Sequence, residues 1–120
     1  MAYFLRESVI KTTSGKVKFR QLGSNGANHY HLGVWLATST TEERDTVRKV
    51  DYLLHPSFTR QQRSSANRAN DFSITFWAWG AFEIVGTVYF VDESRPPLEI
   101  RHQLNVRLPQ DTGDNYERVG

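Results

Sequence analysis

The chain reads as an all-β protein, an immunoglobulin-like β-sandwich of about seven to eight antiparallel strands. Three observations predict it. Apolar and polar residues alternate with period two wherever a period is visible. Clusters of turn-forming residues fall between the alternating runs, and no stretch carries the wide apolar stripe of a packed helix. With 120 residues, 38% of them hydrophobic, the chain suits one domain around one core.

Residues 1–28 read as strands, Lys16–Gln21 most clearly, with turn signals at Thr13-Ser14-Gly15 and Gly23-Ser24-Asn25-Gly26. His29–Leu36 is the next strand. Ser39–Arg48 holds Thr40 and Glu43 at capping-box spacing, but without an apolar stripe it is predicted to be a polar connection. Val47, Val50, Tyr52 and Leu54 mark a strand entered through an irregular residue. Residues 59–70 form a polar loop carrying Arg60, Arg63 and Arg68 with no acid, and Phe72–Phe76 is predicted to be a strand.

Phe82–Phe90 is the most regular segment. Phe82, Ile84, Gly86, Val88 and Phe90 share one face, and Glu83, Val85, Thr87 and Tyr89 the other. After a turn at Glu93–Pro97, the run Leu98–Leu108 repeats the alternation, with Glu99, Arg101, Gln103, Asn105 and Arg107 facing solvent. Beyond Pro109 the polar residues predict a frayed tail. The expected organisation is a sandwich domain over 1–108 and a polar C-terminal tail over 109–120.

Composition excludes several classes. No cysteine means no disulfide framework, thiolate zinc site or thiol nucleophile, which fits a cytoplasmic protein, or a nuclear one in a eukaryote. No apolar run approaches the roughly 18 residues of a membrane span, and Met1–Ile10, with Arg6 and Glu7, is no signal peptide. A formal net charge of +2 makes no strong field, so nucleic acid is not the expected partner. His29 and His31 have same-face spacing, but no third ligand is placed beside them, and no metal site or cofactor is expected. Asp51, His55 and Ser57 offer the types of a hydrolytic triad without a nucleophile elbow, so no catalytic residue is assigned and a non-enzymatic role is expected. The arginines of 59–70 lack stacking aromatics among them and read as a solvated loop.

Phe72–Phe90 holds seven of the chain's fifteen aromatics. Within it Trp77-Ala78-Trp79-Gly80 puts two tryptophans on one face beside a turn-capable glycine, a pattern that suits core packing and a binding wall equally.

Two segments together carry a resemblance: Tyr52-Leu53-Leu54-His55-Pro56-Ser57-Phe58, and Trp79-Gly80-Ala81-Phe82-Glu83-Ile84 followed by Val88-Tyr89-Phe90. In order and spacing they resemble the YEATS domain, a family of immunoglobulin-like sandwiches that reads acylated lysine. The Trp77–Gly80 version looks most like the prokaryotic branch, and the likeness covers about His29 to Leu108. It implies an acetyl- or crotonyl-lysine chain lying between the rings of Phe58 and Trp79 at the loop end. Ser57 would hydrogen-bond the acyl amide with His55 orienting it, the Trp79 backbone N–H would donate to the acyl carbonyl, and Gly80 would belong to the same loop. Trp77 and Phe82 would stand at the rim.

The resemblance implies, as partner, an acylated-lysine protein or peptide, and further domains or subunits where the chain belongs to a larger assembly. Its departures are Pro56, where relatives often have an acid, and His31, in place of a strand-starting tryptophan. Ala27 stands about where some members carry another pocket aromatic, which implies a shallower cage. The alternative is an adaptor sandwich, within a bacterial signalling or defence protein, that lacks an acyl pocket.

Overall fold

Each predicted alternation becomes a strand in the computed structural model, which describes residues 2–22, 26–105 and 107–119. The chain runs β1 (Tyr3–Val9), β2 (Val17–Leu22), β3 (Ala27–Thr38), α1 (Thr41–Asp45), β4 (Val47–Leu53), β5 (Gln62–Ser65), a 3₁₀ turn (Arg68–Asn70), β6 (Ile74–Ala78), β7 (Glu83–Phe90), β8 (Leu98–Gln103) and β9 (Tyr116–Arg118). One sheet orders β1-β3-β2-β9, with β6 also on β3; the other orders β5-β4-β7-β8. All pairings are antiparallel except β2 with β9. This is the expected immunoglobulin-like sandwich. No helix among the described residues is long and apolar enough to cross a membrane.

The core lies between the sheets. Leu32, Val34 and Leu36 of β3 and Phe76 of β6 meet Val50 and Tyr52 of β4 and Ile84 and Val88 of β7, all buried. Burying each such side chain contributes about 1.5–3 kcal/mol. Gly86 on β7 lets the sheets approach: a Cβ there would stand 2.9 Å from Cδ1 of Leu5 on β1. β4 enters with a register shift between Val47 and Lys49, the irregularity anticipated ahead of Val50.

Several expectations need correction. Thr40–Glu43 is a working capping box. The Glu43 N–H donates to Thr40 Oγ1, and Glu43 Oε1 accepts from the Thr40 N–H, each at 3.1 Å. One turn of helix needs no apolar stripe, so the absence of one did not exclude it. In the polar stretch 59–70, Gln62–Ser65 pairs with β4 as an edge strand, and Ser64 Oγ donates to Asp51 at 2.6 Å. Polarity there marks a solvated edge, not a loop.

The strand expected at Phe72–Phe76 begins two residues later. Asp71 and Phe72 both have left-handed backbones, φ 59° and 56°, and turn the chain inward before β6 starts. The strand expected over Leu98–Leu108 stops at Gln103, because its partner β7 starts at Glu83 and the ladder runs out. Asn105 then donates its backbone N–H to Glu7 at 2.9 Å. The polar tail does not fray throughout, since Tyr116–Arg118 pairs with β2. Val106 and the turn at Gly23–Asn25 lie outside the described residues.

Candidate functional site

Two loops meet at one end of the sandwich: the segment after β4, and the Trp79–Phe82 connection between β6 and β7. Aromatic packing joins them. Phe58, half-buried, lies 5.3 Å from Phe82 and 5.7 Å from Phe76 between ring centroids, and His55 sits 6.1 Å from Phe82. Phe82 therefore forms the floor under both loops and does not stand at the rim. Alternation explains this: Phe82 continues the buried face of Ile84 and Val88 one step past the strand.

His55 and Ser57 form a pair on the exposed surface of the first loop. The Ser57 backbone N–H donates to His55 Nδ1 at 3.1 Å, which makes Nδ1 an acceptor and puts the ring proton on Nε2. The Ser57 hydroxyl lies 2.9 Å from the same nitrogen and must donate to it as well. Its lone pairs are left to accept from elsewhere.

Trp79 is 69% exposed, the most exposed large apolar side chain in the chain's described residues. It does not stack on Phe58; among the described residues the two rings make no direct contact. Beside it opens a cavity of about 120 Å³ lined by Tyr30, Leu32, Ala78, Gly80, Ala81, Asn105 and Leu108. Sequence reasoning missed Tyr30 and Leu32, although alternation along β3 turns both toward the core. Nothing in the sequence marked Asn105 or Leu108. A larger cavity, about 320 Å³, lies at the opposite end of β3 beside the 3.2 Å ion pair of Arg44 and Asp71.

Trp77, expected at the rim, is elsewhere. It points away from the core on β6, where the His31 ring stacks on it at 4.5 Å and 8°, with the Arg20 guanidinium 4.3 Å from its centroid. His31 thus supplies a flat ring against Trp77. Burial first, and then the charges of Lys18 and Arg20, hold its imidazole below the ordinary histidine range. The unfolded chain binds this proton more readily than the folded one, so His31 favours the native state above about pH 6.5 and this contribution is lost as pH falls. His31→Phe, which cannot titrate, is expected to lose less stability than the native chain between about pH 7.5 and 5 in urea titrations. An equal loss in both would refute the assignment to His31. His29 Nδ1 lies 2.9 Å from the Ala27 carbonyl. No cluster of three metal-ligating side chains occurs among the described residues.

The family model for the prokaryotic YEATS domain matches residues 30–103, from the middle of β3 to the end of β8, and so contains both loops. The chain belongs to the prokaryotic YEATS family. No curated protein matches it. Among solved structures, the Yaf9 YEATS domain recognising an H3K122suc peptide has a TM-score of 0.60 at 20% identity, over 87% of this chain and 70% of that one. The same domain bound to H3K27ac gives 0.61 at 21%, over 89% and 71%. Yeast Yaf9, an AF-9 homologue, gives 0.61 at 21%, over 88% and 66%. At such identities the likeness establishes the fold. In this YEATS chain, β1, β2 and β9, three of the five strands of the first sheet, lie outside the matched segment.

Proposed function

We propose that this YEATS domain is a recognition module that binds an acylated lysine side chain on a protein or peptide partner, without catalysis. The observation that carries the reading is the Ser57 hydroxyl, which spends its proton on His55 and keeps its lone pairs free at the same end as the exposed Trp79 ring.

An acyl-lysine amide has one N–H to donate and one carbonyl to satisfy. Ser57 Oγ accepts the first, and the Trp79 backbone N–H donates to the second. The acyl plane lies along Trp79, with Phe58 as the inner wall, His55 as the positioning residue for Ser57, and Gly80 keeping the loop open beside Trp79. Unmodified lysine is rejected because its ammonium would leave water for an apolar slot without a carboxylate.

An NMR titration with acetyl-lysine and crotonyl-lysine peptides, with an unmodified lysine peptide as control, tests this. Shifts of the Ser57 and Trp79 amides only with acylated peptides support it. No shifts at millimolar ligand would leave the adaptor reading in its place. Ser57→Ala removes the acceptor for the ligand N–H and is expected to weaken binding about tenfold.

A further inference from the structure

The sequence mixes acidic and basic residues along its length, but the fold leaves one face of the first sheet short of acid. β2, β3 and β6 contain no acidic residue at all. In the second sheet Lys49 lies 3.6 Å from Asp51, and Arg101 reaches Glu83 at 2.9 Å and Glu99 at 3.0 Å, while Arg48 lies over Tyr89 and Arg63 donates to the carbonyls of Arg60 and Thr75. On the first sheet, Arg6, Lys18 and Arg20 make no ion pair among the described residues.

Register fixes where these side chains point. Leu5, Val17, Leu32, Val34 and Phe76 are buried between the sheets, so Arg6, Lys18, Arg20, His31, Trp35 and Trp77 stand on the opposite, outer face. Arg6 pairs across from Trp35, and His31 from Trp77. Glu7 points inward to His102 at 2.9 Å and takes no part. Among the described strand residues of this face, the one carboxylate is Glu117, opposite Lys18 at the margin on β9, and the two form no ion pair.

The face therefore interleaves unpaired cations with flat rings. Arg20, His31 and Trp77, from three strands, already form one stacked layer. We propose that the outer face of this sheet binds single-stranded nucleic acid. Phosphates supply the charge that Arg6, Lys18 and Arg20 lack, and unpaired bases supply π-faces for the aromatic layer. A duplex keeps its base faces hidden in the stack. An acidic peptide would satisfy the cations and leave Trp35 and Trp77 without a role. The proposal departs from the expectation drawn from net charge, which sums over the chain and cannot register cations gathered on one face.

The probe is a fluorescein-labelled oligothymidylate of about 15 nucleotides, followed by anisotropy and by tryptophan emission. Three phosphate contacts predict a slope of log K against log salt of about −2, so affinity falls about 20-fold between 50 and 200 mM salt, with quenched emission. Lys18→Glu/Arg20→Glu is expected to lose more than about tenfold and to flatten the slope to about −0.7. Should that pair fail to fold, the exposed Arg6→Glu is expected to reduce the slope by about 0.7 on its own. No binding at about 50 mM salt, or an unchanged slope in the folded variants, would overturn the proposal. So would poly-glutamate competing as well as the oligonucleotide at equal charge, which would assign the face to an acidic protein.

Discussion

Trp79→Ala is expected to weaken acyl-lysine binding about 30-fold or more while barely moving the thermal unfolding midpoint. The ring is 69% exposed and touches little of the core. Exposed substitutions of that kind usually change stability by less than about 0.5 kcal/mol. At a binding site the same ring is worth about 2 kcal/mol once a ligand covers it, which is the expected factor.

Phe58→Ala behaves differently, because Phe58 also packs on Phe76 and Phe82. It is expected to lose binding together with about 2–3 kcal/mol of stability, near 4 °C of midpoint per kcal/mol. Calorimetry of both variants, unfolding and peptide titration together, separates the outer wall from the inner one. A Trp79→Ala protein that binds acyl-lysine normally would remove the slot from the proposal. A Trp79→Ala protein that unfolds would make the ring part of the core.

The fold was legible where burial is one-sided. Glu83–Phe90 alternates because one face meets the other sheet, and that alternation survives in the sequence as Ile84, Gly86, Val88 and Phe90. β5 and β9 were not legible because they are edge strands, solvated on both sides, whose pairing depends on a neighbour far along the chain. α1 was visible in its caps but not in its period, since no residue in it is buried. Of the candidate site, the His55–Ser57 contact is local, two residues apart, and was readable. Trp77 was misplaced because its partners, His31 and Arg20, come from strands that only the fold brings beside it. The cation-rich face of the first sheet was invisible for the same reason: pairing order, not sequence order, decides which cations share a face.

The largest effect on stability is expected at Phe72. Its ring is 1% exposed at the centre of the core, and its backbone stands at φ 56° directly after Asp71 at 59°. A bulky side chain in the left-handed region costs about 1–2 kcal/mol. Four contacts hold it there. Phe72 N–H donates to Asn67 at 2.9 Å and Leu36 N–H to the Asp71 carbonyl at 3.0 Å. Asp71 pairs with Arg44 at 3.2 Å, and the buried Tyr52 hydroxyl donates to the Phe72 carbonyl at 2.5 Å. Burial pushes that phenol well above the ordinary tyrosine range, so it stays protonated as the donor.

Phe72→Ala is expected to cost about 3–5 kcal/mol, a large share of the marginal stability of a single domain. Phe72→Gly leaves a similar cavity but relieves the left-handed backbone, so it is expected to be about 1 kcal/mol more stable than Phe72→Ala. In an ordinary strand interior the order is reversed, because glycine costs about 0.5–1 kcal/mol relative to alanine. Urea titrations of the two variants, compared at matched slopes, decide the point. If alanine proves the more stable, Phe72 lies in an ordinary extended backbone, and the turn that delays β6 must be made another way.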